Sequence, residues 1–337
     1  MHRRPGAKSR GRPERDLFAD SFVSPTVKVP SRGRTVYALR AGMARITTAA
    51  ARRTPPKLRR HILFLSAHRR LGRFSRPVTF NEKLNWRMLY DHRELIALTC
   101  DKLAAKQYAQ EHSVRVPLTL WSGSDLRELE TVPLPERWVL KPNHSSGQVH
   151  FGSGPLRRGD PLFVKVRSWL QESAPARNGE WGYQRARRLL LVEERIGSRE
   201  TTPTSFKVYA FDGQPRMIGV ISVEPDRFSR WQQTTDTLWP PAGTARRFYT
   251  PDWQPLSVTE GGLPLASVVP PPPNLGAILE TASQLAQPFD FIRVDLYTIG
   301  EAVYFGELTA YPGAGLSRFH PYRVDRQLGA LWRLPRF

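Results

Sequence analysis

Four residues able to do acid, base and metal chemistry fall at alternate positions near the C-terminus of the 337-residue chain: Arg293 and Asp295 in FIRVDLY, Glu307 and Thr309 in FGELTAYPGAG. The stretch reads as two strands, Phe291–Tyr297 and Val303–Thr309, with Ile299-Gly300-Glu301 at the bend. Side chains alternate across a strand, so Ile292, Val294 and Leu296 share one face and Arg293 and Asp295 the other. A five-residue connection, Thr298–Ala302, sets Asp295 opposite Phe305 and Arg293 opposite Glu307, with all four polar residues on one side. Two carboxylates and a guanidinium among apolar neighbours are costly to bury without partners. Mg²⁺ with a phosphate would supply them, since Mg²⁺ takes carboxylate oxygens and leaves positions for phosphate. An ordinary hairpin with an Arg–Glu cross-strand pair is the competing reading.

Further cations lie upstream. RWVLKP is a short apolar strand ending in Lys141, followed by the small-residue loop NHSSGQVHFGSG. Such loops let backbone N–H groups approach phosphate oxygens. The loop has no G-x-x-x-x-G-K-[ST] pattern, which excludes a Walker site. Lys102 sits in the first turn of a helix N-capped by Asp101, where the helix dipole opposes a cation and favours an anion partner. Lys207 shares a face of FKVYAF with Tyr209 and Phe211. Glu193-Glu194 follow an apolar strand at 189–192, either as plain surface or as a hinge beside a nucleotide base. No Ser-His-Asp set is recognisable, and His144 is the one histidine in a candidate site loop.

The elements that must position these residues follow in order. Residues 1–34 are rich in Arg, Pro, Gly and Ser and read as a disordered basic arm. A basic amphipathic helix over 35–53 ends at Thr54-Pro55-Pro56, and KLRRHILFLSAHRRL gives a second, either packed on the body or adsorbed to acidic headgroups. Helices are expected from Thr79, from Asp101 to about His112, over 161–173 and over 275–287. A hairpin follows from FKVYAF, the turn Asp212-Gly213-Gln214-Pro215 and RMIGVISV. Residues 225–275 read as irregular loops over a site, with Arg227, Arg230, Trp231, Arg246, Arg247 and Trp253 offered for contacts and 270–273 as a polyproline spacer.

The bulk numbers bound the partners. The formal net charge is +21, which points to nucleic acid, an anionic membrane or an anionic substrate, or to an Arg-rich solvated surface. The basic residues follow no nucleic-acid motif, so that partner is not expected. The single cysteine, Cys100, excludes an internal disulfide and a Cys-based zinc site. No apolar run approaches the ~18 residues of a membrane span, and no signal-peptide core is present. The expected location is the cytoplasm, with peripheral contact to the inner face of an acidic membrane.

Ten short motifs in order resemble the TupA-like branch of the ATP-grasp superfamily, associated with teichuronopeptide and other cell-surface polysaccharide synthesis. They are P-x-TFNEKL-x-W (Pro77–Trp86), LYD (Leu89–Asp91), DKLAAKQY (Asp101–Tyr108), WVLKPNHSSG (Trp138–Gly147), EWGY (Glu180–Tyr183), VEERIG (Val192–Gly197), FKVYAFDGQP (Phe206–Pro215), DRF (Asp226–Phe228), FIRVDLY and FGELTAYPGAG. The resemblance implies an α+β ATP-grasp fold, two antiparallel-sheet subdomains clasping ATP, with a helical N-terminal region. Its parts would be a basic helical region 35–75, a helical part 76–136, a central subdomain 137–196 and a C-terminal subdomain 197–337 with the metal site.

The resemblance also implies roles. Lys102 and Lys141 would bind the α- and β-phosphates. The loop 143–149, with His144, Ser145, Ser146 and Gly147, would close over the triphosphate. Glu193, Glu194 and Ile196 would hold adenine, with Glu193 at its amino group, and Glu200 would reach the ribose. Lys207 would support the γ-phosphate and Arg293 the transferring phosphoryl group. Asp295 and Glu307 would carry Mg²⁺, with Thr309 in place of the more usual Asn. Acceptor recognition would fall in 229–248, with Arg227, Arg230 and Trp231 nearby. The implied activity is an ATP-dependent carboxylate–amine ligase, joining an amino acid to a uronic-acid-bearing glycan or lipid-linked sugar. A sugar kinase with the same ATP site and a non-catalytic basic binding module are the alternatives. Glycosyl transfer lacks a DxD-type motif.

Overall fold

The computed structural model describes residues 54–171, 178–197, 203–223 and 243–336. The basic arm, the 35–53 helix, Glu200, Arg227, Arg230 and Trp231 lie outside the described residues. Four helices come first: α1 (Pro56–His68), α2 (Phe80–Tyr90), α3 (Glu94–Leu98) and α4 (Lys102–Glu111). α2 opens on a capping box, with Thr79 accepting from Glu82 N while the Glu82 carboxylate reaches back to Thr79 N. α4 is capped by Asp101, which accepts from Ala104 N at 2.9 Å.

A small antiparallel sheet follows, in the order β1 (Thr119–Gly123), β4 (Leu190–Glu194), β2 (Trp138–Pro142), β3 (His150–Gly152). Alternation sends Leu140, Leu190 and Val192 into a satellite core with α5 (Pro161–Gln171), which supplies Leu162, Val166 and Trp169. Lys141 and Glu193 therefore share the opposite face, because Val139 pairs with Glu193 and Lys141 with Leu191.

The large antiparallel sheet runs β11 (Ala302–Thr309), β10 (Phe291–Ile299), β5 (Thr204–Phe211), β6 (Gln214–Ser222), β7 (Ala245–Tyr249), β8 (Pro255–Leu256). α6 (Leu275–Ala286) packs on β10, β5 and β6 with Ile278, Ala282 and Leu285, joining Ile292, Val294 and Leu296 in the main core. A two-stranded piece pairs β9 (Thr259–Glu260) with β12 (Phe319–His320), and α7 (Arg323–Leu331) closes against α2. The start of β10 is anchored by buried Arg87 on α2. Its guanidinium donates to Phe291 O at 2.8 Å and Asp290 Oδ2 at 2.7 Å, and lies 4.3 Å over the Trp332 ring.

Three expectations need correction. The β10–β11 connection is two residues, Gly300-Glu301, because Ile299 pairs with Ala302. Gly300 takes φ 56°, which lets so short a turn close. A bulge at Gly306 then shifts the register, so Asp295 faces Glu307 and Arg293 faces Thr309. A Cβ on Gly306 would lie 2.7 Å from the Tyr297 ring and 2.9 Å from Asp295 O, so the bulge needs glycine. Likewise the β5–β6 turn is Asp212-Gly213 alone, with Gln214 and Pro215 already in the strand.

The third correction concerns 225–275. Of this stretch, residues 245–249, 255–256 and 259–260 are strands, because Phe248, Tyr249, Leu256 and Val258 are core residues whose alternation Arg246 and Arg247 interrupt. Trp253 is not a contact residue. It is buried, stacked 4.3 Å from Tyr249, and donates Nε1 to Val269 O at 3.0 Å. Arg246 pairs with Glu260, and Arg247 donates to Ala266 O. The 270–273 proline run stays on the surface.

Gly306→Ala is expected to cost about 1–3 kcal/mol in denaturant unfolding, through the displaced Tyr297 ring and Asp295 carbonyl. Gly276→Ala in α6, with nothing within 4 Å of the new Cβ, is expected to change stability the other way by up to ~1 kcal/mol. Equal shifts of one sign would contradict the bulge.

Candidate functional site

The bulge and the period of two leave Arg293, Asp295 and Tyr297 on one face of β10, with Lys207 directly across from Asp295 on β5. Asp295 is 2% exposed. Its Oδ1 accepts from Arg293 Nε at 2.6 Å, and its Oδ2 from Arg293 Nη2 at 2.7 Å and Lys207 Nζ at 2.5 Å. Burial opposes the charge, but Arg293 and then Lys207 overcome it and hold the carboxyl down at about 2. Burial pulls Lys207 down, and Asp295 pulls it back up. Glu307 is more open, its side chain 39% exposed. Its Oε1 accepts from Arg293 Nη2 at 3.3 Å and Thr309 Oγ1 at 3.1 Å. Arg293, Asp295, Glu307 and Thr309 thus form one connected group; the Arg293–Glu307 pair read from the sequence is present at 3.3 Å, although the strand register sets Asp295 opposite Glu307 and Arg293 opposite Thr309.

The small sheet presents a second group. Glu193, 3% exposed, accepts from Lys141 at 2.5 Å and Lys106 at 2.7 Å. Burial raises its carboxyl, and Lys141 and Lys106 outweigh that and lower it. Lys106 also donates to Pro117 O and Thr119 Oγ1, each at 2.6 Å. Glu194 is spent on the chain itself, accepting from Leu118 N at 2.8 Å. Ile196 is half-buried beyond the strand end.

α4 joins the two groups. Its N-terminus is fastened to the small sheet by buried Asn143, whose Oδ1 accepts from Leu103 N at 2.9 Å and whose Nδ2 donates to Arg187 O at 2.9 Å. Arg187 in turn grips the capping carboxylate of Asp101, at 2.8 Å to each oxygen. The flank of α4 packs on β11. A cleft between them is lined by Cys100, Lys102, Ala105, Tyr183, Gly306 and Glu307. Lys102 Nζ donates to Ser145 O in this region. Burial brings the ammonium down from 10.5 to about 8; Glu307 pulls it up, Lys141 pushes it down, and Glu193 pulls it up. Tyr297 shows the same meeting of sheets: burial raises its phenol, and Glu307, Asp295 and Glu193 add to the rise.

The loop 143–149 spans the β2–β3 hairpin. Asn143, His144 and Ser145 are buried, and Ser146 is its exposed member. Ser145 Oγ donates to Gln148 Oε1 at 2.7 Å, Ser146 is hydrogen-bonded to Tyr183, and Gly147 takes φ 83°. The exposed portion is therefore shorter than the sequence suggested. Cys100 is buried, and burial pushes its thiol up, away from nucleophilic use.

Sequence reading missed Lys106, Tyr183 and Arg187 as site residues, and it placed Asn143 in the loop 143–149 without its role of fastening α4. Lys106 lies four residues after Lys102, one helical turn along the same face, and that spacing was a usable signal. Nothing in the sequence marks Arg187.

Among the described residues no group of three or more His, Cys, Asp or Glu could hold a metal. The donors at hand are the hard oxygens of Asp295, Glu307 and Thr309, too few for a resident ion. They suit a Mg²⁺ whose remaining ligands are water and phosphate.

Lys102 is expected to titrate near 8 in the free protein by lysine side-chain NMR. Below that value the ammonium is charged in both the folded and the unfolded chain and its burial costs stability; between about 8 and 10.5 the folded form is neutral while the unfolded form is still charged, so that cost is relieved as the pH climbs. Lys141→Met, removing a like charge, should raise this value, and Glu307→Gln should lower it. No response to either would show that the two sheets do not share a field.

Comparison with known proteins adds the following. No curated protein matches the chain. Among solved structures, D-alanine–D-alanine ligase from Bacillus anthracis complexed with ATP is 16% identical, with TM-score 0.35, over 63% of this chain and 55% of that one. D-alanine–D-alanine ligase from Helicobacter pylori is 16% identical, with TM-score 0.38, over 71% and 60%. L-amino acid ligase from Bacillus licheniformis is 13% identical, with TM-score 0.38, over 65% and 42%. The chain thus spans about half of the lengths of these ligases, from 42% to 60%. The family whose sequence profile matches is TupA-like ATPgrasp, over residues 82–333, three-quarters of the chain and every strand of both sheets. The chain belongs to the TupA-like ATP-grasp family.

Proposed function

We propose that the protein is an ATP-dependent carboxylate–amine ligase. What supports the reading most is one arrangement: Lys102 lines a cleft with Glu307 and feels the charge of Lys141, and the same Glu307 acts on Lys207 and Arg293, which hold Asp295. Such a set neutralises a triphosphate and its metal together.

In this proposal Lys102 and Lys141 hold the α- and β-phosphates, and Ser146–Val149 covers them. Adenine is assigned to the backbone of 194–196; Glu193, expected at the adenine amino group, is instead assigned to holding Lys141 and Lys106, with which it pairs. Lys207 and Arg293 meet the γ-phosphate, and Glu200, outside the described residues, keeps the ribose role that the family resemblance implies. Bound Mg²⁺, held by Asp295 and Glu307 with Thr309 beside them, would supply neutralising charge to the phosphoryl oxygens. A substrate carboxylate oxygen attacks the γ-phosphorus, the bond to the β-phosphate oxygen breaks, and ADP leaves. An amine nitrogen then attacks the acyl carbon, phosphate departs, and the nitrogen loses its proton. The chain's own part is orientation and charge, with no protein nucleophile.

The substrates proposed are a uronic-acid-bearing glycan or lipid-linked sugar and an amino acid, in cell-surface polysaccharide synthesis. The net charge of +21 favours an anionic acceptor and the acidic inner face of a membrane. Among the described residues no helix is long and apolar enough to cross a membrane.

The test is ADP release with Mg·ATP and a panel of uronates, with and without amino acids. Release that requires both substrates is expected, and Glu307→Gln should lower it by about a hundredfold or more. Phosphorylated sugar formed without amine would replace the ligase by a kinase. No ATP dependence and no effect of Glu307→Gln would leave a binding module.

A further inference from the structure

A second cavity lies away from the phosphate cleft. α1 ends at Arg69, whose φ of 58° turns the chain sharply. Between this end and the segment that carries β12 and the start of α7 lies a groove lined by His68, Arg69, Arg70, Arg318, Phe319 and Tyr322. It holds about 310 Å³, at the lower end of the span of about 300–1,000 Å³ usual for small-molecule sites.

The charges of the groove sort themselves. Arg70 is committed to the fold: it pairs with Glu82 at 2.5 Å, donates to Thr79 Oγ1 at 3.2 Å, and lies over the Phe64 and Tyr322 rings at 5.0 and 5.4 Å. Asp325, at the base, is 1% exposed and accepts from Asn81 N and Nδ2, each at 2.9 Å. Its burial favours the neutral acid. His68 is buried against Gly315 O at 3.2 Å. Burial draws it down to about 4, and Arg70 and Arg318 push the same way, so it is neutral at pH 7. That leaves Arg69 and Arg318, both exposed and in no ion pair among the described residues, beside a Tyr322 ring that is 46% exposed. Two uncommitted guanidinium groups next to the exposed part of the Tyr322 ring, whose other contact is Arg70, call for an anion attached to a ring-sized apolar face.

Two buried rings separate the groove from the charged face of the large sheet. Its floor, Phe319, lies 6.5 Å from the Tyr209 ring, and Tyr209 pairs across the sheet with Arg293. The segment 312–315, which leads from β11 to the groove, is clamped by Arg60 on Ala314 O at 2.6 Å and by His68 on Gly315 O.

We propose that this groove binds an acid-bearing sugar, with a carboxylate or phosphate other than the reacting carboxylate between Arg69 and Arg318 and its ring on Tyr322. The assignment deepens the ligase reading and rests on it for the role of acceptor. It also differs from the sequence expectation, which put acceptor recognition in 229–248.

Isothermal titration of the full chain with a uronate disaccharide, a hexose 1-phosphate, the corresponding neutral disaccharide and inorganic phosphate tests it and separates the two acid sources. One acid-bearing sugar should bind, the neutral sugar should not, and inorganic phosphate should bind more weakly. Arg69→Gln and Arg318→Gln should each weaken the sugar about tenfold or more. Tyr322→Ala should weaken the sugar and leave inorganic phosphate unchanged. Mg·ATP affinity, measured separately, should be unaltered in all three variants, which also certifies their folding. Equal binding of the neutral sugar, no binding of either acid sugar, or indifference to the three substitutions would overturn the groove. Acid-sugar binding that obeys the variants, without ADP release from any sugar and amine pair, would keep the groove and remove the ligase reading.

Discussion

The buried carboxylate of Asp295 is the constraint on which the rest of the structure depends. Removing a charge from water is costly, and two cations repay it here, Arg293 from the same strand and Lys207 from the next. Their geometry requires β5, β10 and β11 to lie in one fixed register. Gly300 and Gly306 set the register between β10 and β11, and Arg87 fixes where β10 begins. The large sheet is thus built to hold a cluster of three charges, with Glu307 at its open edge.

The small sheet repeats the design with the same signs. One buried acid, Glu193, gathers Lys141 and Lys106. Each cluster satisfies its central acid, so the solvation lost on folding is compensated locally. What remains is an excess of cations around the cleft, with Lys102 between the two clusters and paid for least. Its lowered proton affinity marks the place where an added anion would gain most.

Much of this was legible in the residues, and the reasons are physical. The capping box at Thr79 and Glu82 and the Asp101 cap are local hydrogen bonds, so short sequence patterns carry them. The shared face of Arg293, Asp295, Glu307 and Thr309 follows from strand period alone. Register was not legible: a bulge at Gly306 depends on the Tyr297 ring crossing it, which is a cross-strand contact. β7 was hidden because Arg246 and Arg247 look like surface until Glu260 and the Ala266 carbonyl arrive from later in the chain. Lys106 looked like an ordinary helix cation because its partner, Glu193, is 87 residues away. The groove residues were silent for the same reason, since Arg69 and Arg318 meet only in the fold.

The central claim is that the two charge clusters serve one polyphosphate. Hydrogen exchange of the full chain with and without Mg·ATP tests it most directly. The account expects protection to appear together in the loop 143–149, at the N-terminus of α4 and along 303–309, with the same nucleotide dependence. Protection confined to one sheet, or none in either, would contradict it.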